Sequence, residues 1–186
     1  EEIGIKSGQE MITKILLTDG RHGAIWNKLM KKSIFNDNNK FQDRVISDIV
    51  VLYKVFKENA KIAYSNQIKY YYLRHKNSIV GTRKFEYLID MYKGTLERYE
   101  DLKNTYPNYI ENEIGMLLMI IDLYIYPNKE FKKYIKKEKI INNYKKIFKL
   151  KYLKSKITTE NKFKILLFRV SPKLYNFLVK IHLKLK

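Results

Sequence analysis

One carboxylate and one short basic turn are where this chain could do chemistry. Asp48 heads a stretch of helical apolar spacing, in which Ile49, Leu52, Tyr53 and Phe56 recur at three- and four-residue steps. Further on, a β-like run with three consecutive tyrosines, Tyr70 to Tyr72, leads into the polar cluster Arg74-His75-Lys76-Asn77-Ser78. An ionisable acid and a basic, hydroxyl-bearing turn are the raw material of proton transfer and anion binding. Other chemistries drop out. With no cysteine there is no thiol nucleophile, no Cys-ligated zinc and no disulfide scaffold. His22, His75 and His182 are far apart and lack an H-E-x-x-H companion. Neither a Gly-rich phosphate loop nor a nucleophile elbow is encoded.

These residues need elements to hold them. Ser7 and Glu10 have the spacing of a capping box, after which Met11, Ile12, Ile15 and Leu16 continue a helix towards Asp19-Gly20. The segment 24–35 is apolar and holds the single tryptophan, Trp26, and Asn36 to Lys40 reads as a turn. A helix is expected over 43–59. Two short strands, 61–64 and 68–72, are expected to pair through the turn Ser65-Asn66-Gln67. Helices are then expected over 83–105, from Pro107 to about Tyr126, and over much of 128–156. Two short segments flanking Ser171-Pro172 close the chain. The fold class is therefore mixed α/β at first and mainly α-helical afterwards, divided at residues 1–82 and 83–186.

The 186 residues can bury a real core, and no apolar run is long enough to span a bilayer. The net charge is +19. Such a field favours polyanions: nucleic acid, anionic lipid or phosphorylated substrates. A Lys-, Ile-, Asn- and Tyr-rich composition of the kind an AT-rich genome produces also accounts for part of it. The basic character concentrates in 128–156, where 12 lysines stand against two acids and interleave with Phe131, Tyr134, Ile135, Ile140, Ile141, Tyr144, Ile147 and Phe148. Such a segment either lies on an anionic membrane surface or packs its aromatics inward as a solvated helix. Leu174, Phe177, Leu178 and Ile181 offer a second apolar face.

Several blocks in order carry a resemblance. Trp26-Asn27-Lys28-Leu29, Asp48 with Tyr53 five positions on, Tyr70-Tyr71-Tyr72 and Ser78-Ile79 resemble the C-terminal half of bacterial family 2 glycosyltransferases of the GT-A fold. The likeness covers roughly residues 5–85, and the later basic helices resemble the family's tail more loosely. Ser47 stands where the family usually has Glu, and Leu73 where it often has Arg. The family's nucleotide-binding half, with its Asp-x-Asp metal motif, has no counterpart. Asp37-Asn38-Asn39 lies downstream of the tryptophan block rather than upstream of it. With Glu1-Glu2-Ile3 at its start and no Met, the chain reads as a fragment, inactive alone, with an apolar surface where the missing half packs.

The resemblance implies an inverting transfer of a sugar from a nucleotide-sugar donor to a glycan or lipid-linked acceptor in surface polysaccharide synthesis. One base suffices for that reaction, because the sugar leaves on an already acidic diphosphate. By similarity Asp48 is the candidate base, although as a first-turn acid it also stabilises its helix. Arg74, His75 and Ser78 are the candidate diphosphate-binding residues, with His75 also a candidate metal ligand. Trp26 is either an acceptor-binding platform or a packed aromatic. The full-length enzyme is expected to use Mg2+ or Mn2+, bound mainly outside this chain. The implied location is cytoplasmic, peripheral on the inner face of the plasma membrane. The alternative is a basic module that binds nucleic acid or a membrane surface without catalysis. No nucleic-acid-reading motif is recognisable, so nucleic acid is not the expected partner.

Overall fold

The computed structural model describes residues 3–17, 23–41, 48–59, 61–67, 70–71, 73, 82, 84–137 and 139–184. Among them the chain is mostly helical, with one two-stranded antiparallel sheet. Strand β1 (Ile3–Lys6) is followed by α1 (Gly8–Leu17), α2 (Asp48–Glu58) and β2 (Ile62–Ser65). Then come α3 (Phe85–Thr105), α4 (Ile110–Tyr124), α5 (Lys129–Lys137), α6 (Ile140–Ile147), α7 (Thr159–Val170) and α8 (Pro172–Lys184). Short 3-10 turns at Lys32–Ile34 and Leu150–Lys154 punctuate the connections.

Helix α1 starts where its sequence says it should. The Ser7 amide donates to Glu10 Oε2 at 2.7 Å and the Glu10 amide to Ser7 Oγ at 3.2 Å, closing the capping box. Gly8 is needed at the next position because α1 crosses the end of α2 there. A Cβ on Gly8 would lie 1.9 Å from the Phe56 carbonyl oxygen. Helix α2 buries Val50, Val51, Leu52, Tyr53, Val55 and Phe56, which with Met11, Ile12 and Leu16 of α1 form one apolar cluster.

The second and larger cluster is built around α4. Ile114, Met116, Leu117, Ile120, Ile121 and Leu123 are all buried, and the helix is in contact with α1, α3, α6 and α7. A helix apolar on most sides belongs at the centre of a bundle. Burying each of these side chains contributes roughly 1.5–3 kcal/mol. Phe131, Tyr144, Tyr152, Ile165 and Phe168 cover it from the later helices.

Three expectations need correction. Among the described residues, the strand 62–65 has no partner in a strand following Ser65-Asn66-Gln67. It pairs with β1, Ile3 opposite Ser65 and Lys6 opposite Ile62. Of the expected second strand, Tyr70 and Tyr71 lie outside regular structure, while 68, 69 and 72 fall outside the described residues. The segment 128–156 is not one helix. Asn128 Oδ1 caps α5 by accepting from the Phe131 amide at 2.8 Å, and Lys139 then turns left-handed (φ 51°) between α5 and α6. Pro107 lies in the turn before α4 rather than in its first turn. The expected positions 43–47 of α2, and the end of α1 at Asp19-Gly20, lie outside the described residues.

Candidate functional site

The candidate site is assembled at the N-terminal end of α2. Asp48 is half-buried and is the acid in the first described turn of α2. Helix α2 is held on its far side by α3. Lys54 Nζ lies 3.0 Å from Glu97 Oε1, and Lys57 Nζ lies 2.7 Å from Asp101 Oδ2.

The loop 23–41 brings the tryptophan block to the same place and is pinned along α2. At the C-terminal end of the helix, Glu58 Oε2 accepts from Asn36 Nδ2 at 3.0 Å and from Asn39 Nδ2 at 2.9 Å. Asn39 also donates to the Ile34 carbonyl at 2.9 Å and accepts from the Asn36 amide at 2.8 Å through its Oδ1. The Asp37-Asn38-Asn39 turn is thus a structural clasp. At the other end of α2, Lys28 comes under the field of Asp48. Its ammonium donates to the Ala24 carbonyl and to Asn27 Oδ1. Burial pushes the Lys28 pKa down to about 8, and the Asp48 carboxylate opposes the shift.

Two residues before Lys28, the Trp26 ring stacks on Tyr70, centroids 4.6 Å apart and planes inclined by 27°. The rings remain 38% and 49% exposed, so the stack is an aromatic surface open to solvent rather than a piece of core. Leu29, from the same block, is fully exposed. Tyr53, by contrast, is fully buried and belongs to the core. Its hydroxyl faces the Asp101 carboxylate, and burial together with the nearby Asp101 and Glu97 carboxylates raises its pKa far above the ordinary tyrosine value. Next to it, Arg98 is almost completely buried with its Nε unpartnered, and desolvation lowers its pKa to about 10.

Of the sequence-derived site residues, Asp48 and Trp26 are described. Arg74, His75 and Ser78 lie outside the described residues, as do His22 and Ser47. His182, in α8, is exposed and far along the chain from these groups. Lys28 is the residue whose role sequence reasoning missed. It was in view as the third member of the Trp26-Asn27-Lys28-Leu29 block, but a lysine in so basic a chain carries no signal of burial. Among the described residues no cluster of three or more His, Asp or Glu side chains is placed to hold a metal ion.

No family model matches the chain, and no curated protein or solved structure does.

Proposed function

We propose that this chain carries the acceptor side of an inverting glycosyltransferase of the GT-A type, acting from a nucleotide-sugar onto a glycan or lipid-linked acceptor. One observation carries the proposal. Three separated stretches that the resemblance groups together are linked through the 26–29 block: Trp26 stacks on Tyr70, and Lys28 shares the field of Asp48. A fold with no such purpose has no need to gather an open aromatic surface, a desolvated ammonium and a helix-capped carboxylate.

In this reading the apolar face of an acceptor sugar lies on the Trp26–Tyr70 surface, as sugar rings do on aromatics. Asp48, kept ionised by the start of α2 and by Lys28, accepts the proton of the attacking hydroxyl. That oxygen bonds to the anomeric carbon as the bond from carbon to the diphosphate oxygen breaks, and the configuration inverts. Arg74, His75 and Ser78 are assigned to the departing diphosphate, where cationic and hydrogen-bonding groups stabilise developing charge. The donor-binding half is assigned to the exposed face of the small sheet, where Ile3 and Ile5 are left uncovered.

The test is sugar transfer by a polypeptide in which a donor-binding half accompanies this chain. Asp48→Asn lowers kcat by about 10²- to 10⁴-fold, the worth of a positioned base, while circular dichroism shows the variant folded at the assay temperature. Transfer at the unmodified rate by Asp48→Asn removes the proposal.

A further inference from the structure

The lysine-rich segment 128–156 keeps its apolar face for itself. Phe131, Ile135, Ile140 and Tyr144 are buried, and Tyr134, Ile141, Ile147 and Phe148 are packed against the same core. A second apolar face lies further along, on α7 and α8, and nothing among the described residues covers it. On α7, Phe163 (62% exposed), Leu166 and Val170 (72%) recur at steps of three and four. On α8, Leu174, Phe177 (58%), Leu178 and Ile181 do the same. The opposite sides of these helices are anchored inward through Ile165, Phe168 and Tyr175, with Phe168 and Tyr175 in edge contact at 5.8 Å. Ser171 links the two helices directly, its Oγ accepting from the Leu174 amide at 3.2 Å.

We infer that the exposed stripes of α7 and α8 form a seat for an anionic lipid surface. The argument is one of charge joined to hydrophobicity. From Asn161 to the end of the sequence there are seven cations and no acid. From Lys139 onward there are 14 cations against one acid. On the helical wheel, Lys162 and Arg169 border the α7 stripe, and Lys173 and Lys180 border that of α8. Arg169 also rests over the Phe148 ring at 5.6 Å, tying this border to the body. An apolar stripe edged by cations is the pattern of a helix lying in the plane of an interface. A second copy of the chain would bring the same surplus of positive charge against itself. Nucleic acid would answer the lysines and leave Leu166, Val170, Leu174, Leu178 and Ile181 without a partner. A bilayer with acidic headgroups answers both. Among the described residues no helix is long and apolar enough to cross a membrane, so the attachment is in-plane. The inference does not rest on sugar transfer and survives if that proposal falls.

The experiment is co-sedimentation of the whole chain with vesicles of phosphatidylcholine alone or mixed in equal parts with phosphatidylglycerol, at physiological salt. Binding is expected to the mixed vesicles and not to pure phosphatidylcholine. The triple variant Phe163→Gln, Leu174→Gln, Phe177→Gln changes only exposed side chains, and its fold is checked by circular dichroism. It is expected to lose at least tenfold in vesicle affinity. Lys162→Gln, Lys173→Gln, Lys180→Gln is expected to lose a comparable factor. Failure of the unmodified chain to bind mixed vesicles overturns the inference, as does undiminished binding by the apolar variant. Two further results overturn it by naming another occupant: a dimer that dissociates in the apolar variant, or single-stranded DNA binding lost in that variant while vesicle binding persists.

Discussion

The two apolar clusters treat their buried polar groups differently. Around α4, interior hydroxyls are used as fasteners. Tyr144 donates to the Ile165 carbonyl at 2.6 Å, and Tyr152 donates to Glu113 Oε2 at 2.6 Å, where Lys149 also pairs with Glu113 at 2.7 Å. Around α2, among the described residues, the Tyr53 hydroxyl meets only the Asp101 carboxylate and Arg98 Nε has no hydrogen-bond partner, while Arg98 and Lys28 are both held desolvated. The α4 side has its own exception in Asn112 Oδ1, buried without a partner. Each orphaned buried polar group costs about 1–3 kcal/mol. The α2 side is therefore the one that carries desolvated cations, whereas the charge buried beside α4 is paired.

The comparison can be broken or sharpened by substitution. The largest effect is expected at Gly8, where a Cβ would collide with the backbone of α2. Gly8→Ala should cost about 3 kcal/mol in urea unfolding, because carbonyl oxygens of a packed helix cannot move aside cheaply. A cost near zero would mean that α1 and α2 are not locked together as described. Two tyrosine substitutions test the contrast itself. Tyr144→Phe removes a satisfied hydrogen bond and should destabilise by about 1 kcal/mol. Tyr53→Phe removes a hydroxyl whose one neighbouring acceptor is the Asp101 carboxylate, already paired with Lys57, and should cost well under about 1 kcal/mol. Equal losses at both positions would erase the distinction between the clusters.

A pH dependence tests the coupling of Lys28 to Asp48. The Lys28 pKa is depressed from 10.5 to about 8, so the unfolded chain binds more protons than the folded chain above pH 8. Stability should therefore rise with pH from about 8 towards 10, and the penalty is constant below that window. Above pH 10 the buried tyrosines, whose pKa values are raised, act in the opposite direction. Lys28→Met should abolish the rise. Asp48→Asn should move its onset below pH 8, since Asp48 is the group that holds the ammonium's pKa up. A slope identical in all three proteins would show that Lys28 and Asp48 do not interact.

Much of the helical architecture was legible because it rests on local signals. Ser7 and Glu10 announced α1, Ser171-Pro172 the join between α7 and α8, and apolar spacing the long helix α3. The β1–β2 pairing was not legible. Ile3-Gly4-Ile5-Lys6 alternates for too few residues to stand out, and its partner lies beyond two helices. The break at Lys139 escaped because a lysine gives no warning of a left-handed backbone, which glycine or asparagine would have given. At the site, Asp48 and Trp26 could be singled out by type and position. Their proximity to Lys28 and Tyr70 depends on the course of the 23–41 loop, which Asn36, Asn39 and Glu58 fix through side-chain hydrogen bonds that no periodicity reveals.

The most direct test of the proposed acceptor site uses its own reporter. Trp26 is the single tryptophan of the chain, so its emission reports on the stack with Tyr70 and on little else. Titration with maltose, lactose and N,N′-diacetylchitobiose at millimolar concentration should change that emission saturably for at least one of them. The change should be retained in Asp48→Asn and lost in Tyr70→Ala. Emission indifferent to every saccharide, or a response that survives Tyr70→Ala unchanged, would contradict the account.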